Sequence, residues 1–167
     1  MEKLNGRKKL RVSVFISGRG TNLNSLINFS KNKDSPIKIV LVITNNKNAK
    51  GLLYAKKNKI KSSIINYKNK NKAERKILIN LKNNYIDFIC LAGFMKILSK
   101  RIVNKYKNKI LNIHPSLLPK YKGLNTHKKV INNNETFTGC TVHLVNTNLD
   151  SGKIILQKKI KVLKNDD

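Results

Sequence analysis

Residues 10–23, Leu-Arg-Val-Ser-Val-Phe-Ile-Ser-Gly-Arg-Gly-Thr-Asn-Leu, decide the fold. Leu10 to Ser17 is short, apolar and β-branched, the composition of a strand buried on both faces. Gly18-Arg19-Gly20 then turns the chain, and Thr21 opens a segment with Leu23, Leu26, Ile27 and Phe29 at helical intervals. A glycine-bearing turn between strand and helix leaves backbone N–H groups facing outward, a setting that favours an anion such as phosphate. The dinucleotide fingerprint is incomplete, because Asn22 and Leu23 follow where a third glycine is expected. The next strand ends in Thr44-Asn45-Asn46 instead of a ribose-binding acid, and no Gly-Lys-Ser/Thr of a P-loop occurs. A monophosphate site is the sharper reading; a tight turn that only packs helix on strand is the alternative.

Working outward, Ile37 to Thr44 reads as a second strand, Ala49 to Asn58 as a helix and Ser62 to Ile65 as a third strand. Lys72 to Asn83 is a helix with Ile77, Leu78 and Leu81 on one side, and Ile86 to Leu91 is a fourth strand ending at Ala92-Gly93. This alternation predicts parallel βαβ units with right-handed crossovers. After Gly93 the pattern changes. A short helix is expected over Ser99 to Tyr106, a strand over 110–114 and a helix over Thr126 to Ile131. Thr138 to Val145 and Gly152 to Val162 read as two strands able to pair. The expected class is α/β, a Rossmann-like, mostly parallel sheet with helices on both faces and partly antiparallel C-terminal strands.

At 167 residues and 40% apolar content, the chain is expected to form one domain with a real core. No apolar run approaches the roughly 20 residues that span a bilayer, and no signal peptide is evident at Met1 to Leu10. Cys90 and Cys140 lie in apolar segments without metal-ligand spacing and read as small buried hydrophobes of a cytoplasmic protein. The formal charge of +28 invites a nucleic-acid reading. Only five of the 36 basic residues are Arg, aromatics are 6%, and lysines interleave with asparagines throughout. Those features favour compositional drift plus attraction of anionic small molecules over a specific nucleic-acid site.

The stretch from Ile110 to Pro119, Ile-Leu-Asn-Ile-His-Pro-Ser-Leu-Leu-Pro, carries the chemistry. In a strand, Asn112 and His114 project from one face, and Pro115 ends the ladder. An amide donor beside a proton-transfer group suits reaction at a carbonyl; a buried, backbone-bonded His is the plain alternative. Among eight acids, Asp34, Glu74 and Glu135 fall in surface-like stretches, Glu2, Asp166 and Asp167 lie near the termini, and Asp87 opens a strand. Asp150 is the exception, placed in a turn between two apolar strands. It can orient an imidazole and favour its protonated form, or serve as an Asx-turn residue. His127 falls in the first turn of a helix. His143 reads as a packed or hydrogen-bonded core group, and the three His make no convincing metal site.

With those pieces placed, the chain resembles the folate-dependent phosphoribosylglycinamide formyltransferases over roughly Val12 to Leu163. The resemblance rests on five ordered segments, at 16–23, 91–98, 111–124, 138–145 and 149–157. It implies transfer of a formyl group from 10-formyltetrahydrofolate, a co-substrate, to the amine of N1-(5-phospho-D-ribosyl)glycinamide in de novo purine (IMP) biosynthesis, without a metal. Gly20, Thr21 and Asn22 match the segment that holds the substrate phosphate. Met95, Lys96, Ile97 and Leu98 match the segment lining the folate pocket, with Asn112 beside it. Asn112, His114 and Asp150 match the catalytic trio.

The resemblance further implies a single formyltransferase domain over 1–167, its phosphate-binding half at about 10–91 and its folate and catalytic half at about 92–163. It implies small-molecule substrates, no membrane, and a monomer or homodimer in the cytoplasm. Two departures stand out. Lys96 sits where Arg is expected in many relatives, and it lacks the planar fork for bidentate contact. The chain is expected to lack the helical segment with which the family continues beyond residue 167. In the expected mechanism, Asn112 and protonated His114 donate to the developing oxyanion while Asp150 supports His114. Alternatives are a deformylase, a methionyl-tRNA formyltransferase-like enzyme, or an inactive anion-binding homologue.

Overall fold

The computed structural model describes residues 3–4, 7–163 and 165–166. The signal-peptide reading falls mostly on Met1 to Lys8, and with Glu2 and Asp167 it lies outside the residues whose side chains are described. The chain divides into two compact units, 1–102 and 103–167.

The first unit begins with a two-residue pair, β1 (Lys3–Leu4) and β2 (Arg7–Lys8), and continues into β3 (Leu10–Ile16). The last five residues of β3 are buried, as a strand covered on both faces requires. Then follow α1 (Thr21–Lys31), β4 (Ile37–Thr44), α2 (Leu52–Lys57), β5 (Lys61–Ile64), α3 (Lys70–Asn83) and β6 (Phe88–Leu91). β3 pairs in parallel with β4 on one side and β6 on the other, and β5 extends the sheet beyond β4. The chain therefore builds outward through β4 and β5, then returns to the far side of β3. Such a reversal opens a crevice at the carboxyl ends of the strands flanking it. Val12, Val14, Ile16, Leu23, Ile27 and Val42 are all within 1% of full burial and form the centre of the core.

Element ends differ from the expected ones for local reasons. α3 starts at Lys70 because the Asn69 side chain accepts the Lys72 N–H at 2.9 Å and caps the helix. α2 starts late because Ala49 and Leu52 donate to carbonyls three residues back, Asn46 and Ala49, in tight turns. Glu74 departs from its surface reading. It is 5% exposed, and its carboxylate accepts the Ser99 N–H at 2.7 Å. Asp87 accepts the Arg11 N–H, a structural role. Cys90 and Cys140 are half-buried, and desolvation pushes the Cys90 thiol up to about 11.

α4 (Lys100–Lys105) leads into the second unit, which contains β7 (Ile110–His114), α5 (Thr126–Asn132), β8 (Phe137–Leu144) and β9 (Ile154–Lys161). β8 pairs antiparallel with β7 and with β9. The α/β class, parallel first and antiparallel last, is as the sequence predicts. Every residue of β9 is exposed. Gly139 of β8 meets β9 backbone to backbone, since a Cβ there would overlap the Lys158 carbonyl oxygen.

Gly20 shows how tightly the first turn is built. Its φ is +78°, and an added Cβ would sit 2.5 Å from the Gly51 Cα. Gly20→Ala combines left-handed strain with backbone overlap. It is expected to destabilise the protein by about 1–3 kcal/mol, measured as a lowered midpoint in urea unfolding.

Candidate active site

In the first unit, Ser17 joins the ends of three strands. Its N–H donates to the Gly93 carbonyl at 3.0 Å, and its Oγ accepts the Met95 N–H at 2.8 Å. The same hydroxyl donates to Asn45 Oδ1, while the Asn46 amide donates to the Ser17 carbonyl at 3.1 Å. The loops after β3, β4 and β6 are thus laced together at the carboxyl side of the sheet. Gly20 precedes α1 without a side-chain cap, and Asn24 N–H is the first to close onto the Gly20 carbonyl, at 2.9 Å. The Thr21, Asn22 and Leu23 N–H groups are therefore the outward-facing donors of the helix start. Thr21 and Asn22 are exposed there, as an anion site needs. On the loop after β6, Met95 and Ile97 are 58% and 66% exposed and Lys96 is exposed beside them. Leu98 turns inward at 8% exposure and packs as a core residue.

The second unit brings the three catalytic candidates together. β7 presents Asn112 and His114 on one face, and the antiparallel register sets His143 opposite Asn112 and Thr141 opposite His114. Thr141 is fully buried and fixes the loop after β7. Its Oγ1 donates to the Ser116 carbonyl at 2.7 Å and accepts the Leu118 N–H at 3.0 Å. Gln157 of β9 reinforces that loop through the Leu118 carbonyl and Thr141 Oγ1, both at 2.9 Å.

Asp150 approaches from the turn between β8 and β9. It holds a left-handed φ of 44°, which Asp tolerates better than most residues. The turn's Asx role falls to Asn146, whose Oδ1 accepts the Asn148 N–H at 3.0 Å. Asp150 spends its carboxylate elsewhere. Oδ2 accepts the Gly123 N–H at 2.9 Å and stands 3.5 Å from His114 Nδ1. Oδ1 accepts the Asn112 amide at 3.4 Å and stands 3.6 Å from His143 Nε2. Burial alone would push this carboxyl up. The Gly123 N–H and the nearby His114 outweigh burial and hold it below its ordinary value of 3.8.

Hydrogen-bond partners assign the ring protons. A carbonyl oxygen only accepts, so His114 Nε2, 2.8 Å from the Tyr121 carbonyl, carries a proton. His143 Nδ1, 2.9 Å from the Leu144 carbonyl, carries one likewise. In the neutral ring, His143 Nε2 then offers a lone pair to the Asn112 amide N–H at 3.2 Å. Asn112 and His114 thus direct their N–H groups at acceptors within the protein, an arrangement the sequence did not anticipate. His143 is the member that sequence reasoning placed in the core without seeing its role. It is 2% exposed and hydrogen-bonded, but its partner is the site itself. The signal lay in the pairing of Leu-Asn-Ile-His with Thr-Val-His-Leu, once their register is known. His127 is exposed on α5, away from this cluster's hydrogen bonds. Among the described residues, no three His, Cys, Asp or Glu side chains are arranged to hold a metal ion.

The formyl transferase family profile matches residues 10–167. The chain is 42% identical over 159 residues to phosphoribosylglycinamide formyltransferase of Haemophilus influenzae, covering 93% of this chain and 75% of that protein. It is 44% identical over 163 residues to the human trifunctional purine biosynthetic protein adenosine-3, covering 96% of this chain. It spans only 16% of that much longer relative. The crystal structure of phosphoribosylglycinamide formyltransferase from Anaplasma phagocytophilum superimposes with a TM-score of 0.90 at 41% identity, covering 96% of this chain and 76% of that one. A formyltetrahydrofolate deformylase from Pseudomonas syringae also superimposes, with a TM-score of 0.89 at 25% identity, covering 96% of this chain and 54% of that one.

Proposed function

The chain belongs to the formyl transferase family, and from that premise we propose that it transfers the formyl group of 10-formyltetrahydrofolate to the amine of N1-(5-phospho-D-ribosyl)glycinamide. The reaction is a step of de novo purine biosynthesis, carried out in the cytoplasm by one formyltransferase domain acting on small molecules, as a monomer or homodimer. The observation that carries this reading is the convergence of Asn112, His114 and Asp150, with contacts of 3.4–3.5 Å through the Asp150 carboxylate.

Gly20, Thr21 and Asn22 hold the substrate phosphate on the N–H groups that open α1. Met95, Lys96, Ile97 and Leu98 contact the folate, Leu98 acting from the core as the support for its exposed neighbours. The neutral amine attacks the formyl carbon, an N–C bond forms and negative charge gathers on the formyl oxygen. That oxyanion is a stronger acceptor than a neutral carbonyl. It takes an N–H from Asn112 and the Nε2 proton that His114 otherwise gives to the Tyr121 carbonyl. Asp150 stabilises positive charge on His114 as the proton passes from the attacking amine to the departing folate nitrogen. An amine is already a competent nucleophile, so no covalent enzyme intermediate is required.

The test is a formyl-transfer assay with both substrates, following tetrahydrofolate formation and the formylated ribonucleotide together. Stoichiometric formylated product supports the proposal. Formate released into water at the same rate with and without the ribonucleotide would instead make the protein a deformylase, the reading that the Pseudomonas syringae likeness favours.

A further inference from the structure

We propose that His143 is a positioning residue of the transfer site, its Nε2 lone pair holding the Asn112 carboxamide with the amide hydrogens turned toward Asp150. The inference rests on the formyl-transfer reading and deepens it. The two ends of a carboxamide are nearly isosteric, so packing alone cannot choose between its orientations; the partners must. Asn112 has two partners on its inner side. His143 Nε2 lies at 3.2 Å, and Asp150 Oδ1 lies at 3.4 Å.

His143 can accept only because its other nitrogen is committed. The Leu144 carbonyl, 2.9 Å from Nδ1, fixes a proton there, and in the neutral ring this leaves Nε2 bare. The ring is 2% exposed, so water does not compete for that lone pair. Cross-strand pairing supplies the rest, since His143 and Asn112 are directly opposed in the β7–β8 ladder. One amide hydrogen is therefore anchored on the shorter contact to His143. The second, on the longer contact to Asp150, is the one that can shift to an oxyanion forming beside that carboxylate. Reversed, the same side chain would turn a carbonyl oxygen toward the growing negative charge and oppose the reaction.

The experiment compares His143→Leu, which removes the acceptor, with His143→Gln, whose amide oxygen can replace it. Both are also placed in an Asn112→Ala background. His143→Leu is expected to lower kcat by about 10²-fold through misorientation, with KM for both substrates changed about 2-fold or less. His143→Gln should recover most of the loss. In the Asn112→Ala background, His143→Leu should cost little more, because the group it orients is gone. Three results overturn the proposal: wild-type turnover in His143→Leu, no advantage of folded His143→Gln over folded His143→Leu, or the full 10²-fold loss persisting without Asn112. Nitrogen-15 spectroscopy of the wild-type ring provides a readout independent of turnover. A proton on Nδ1 with Nε2 bare supports the proposal, and a protonated Nε2 overturns it. If the wild type transfers no formyl group, the formyl-transfer reading fails, and the ring spectrum still decides whether His143 orients Asn112.

Discussion

Asn112→Ala lowers kcat by about 10²–10³, the usual cost of one oxyanion donor, while KM for both substrates stays close to the wild-type value. The split follows from where the interaction forms. In the ground state the formyl oxygen is a weak acceptor, and the Asn112 N–H groups are occupied by His143 and Asp150 at 3.2 and 3.4 Å. Only as charge accumulates does the substrate outcompete those partners, so the lost energy appears in the transition state. His114→Ala should show a rate loss of similar size together with lower stability, because the ring is 4% exposed and its removal leaves the Tyr121 carbonyl without that donor. Ser116 Oγ, at 3.4 Å, remains as a weaker donor to that carbonyl, and losing the shorter bond costs about 1 kcal/mol. Steady-state kinetics beside urea unfolding separate the two effects. Near-full turnover in both variants would remove the proposed mechanism.

Asp150→Asn is the second large effect, expected to reduce kcat by at least the same 10²-fold order and to change the acid limb of stability. The native carboxyl is held below 3.8, so the folded state favours the ionised form. Its contribution to stability is fully present above the ordinary carboxylate value and is lost as pH falls through the depressed one. Wild-type Tm should therefore fall more steeply than that of Asp150→Asn below pH 3.8, and the two curves should converge in acid. Parallel curves over that range would show that Asp150 is not ionised in the way its neighbours require.

Much of this architecture is legible in the chain. The apolar run at Leu10–Ile16, the glycine turn after it and the β-branched strand at Ile37–Thr44 identify the parallel unit, because buried strands need little beyond composition. Asn112 and His114 share a face by strand periodicity alone. What stayed hidden depends on distant partners. Glu74 looks like a surface acid until Ser99 supplies its N–H donor from 25 residues away. His143 looks like core until β7 and β8 are aligned, and the 22 residues between them, 115–136, are too many for a hairpin rule to set the register. Asp150 reads equally well as a turn former, and only the Gly123 contact, 27 residues away, shows its carboxylate turned from its own backbone. Proton placement on the two rings was invisible for the same reason, since carbonyls of Tyr121 and Leu144 determine it.

The opposition of Asn112 to His143 and of His114 to Thr141 makes the ladder itself the ruler of the chemistry. A slip of one residue would send the paired amide and imidazole to opposite faces. Chain length can therefore vary at the exposed residues 132–134 of the joining segment, where added residues bulge into solvent, but not within the strands or in the loop that supplies the Tyr121 and Gly123 contacts. For anyone grafting, permuting or redesigning this unit, the tolerant and intolerant stretches are drawn by hydrogen-bond alignment instead of by nearness to the reacting groups.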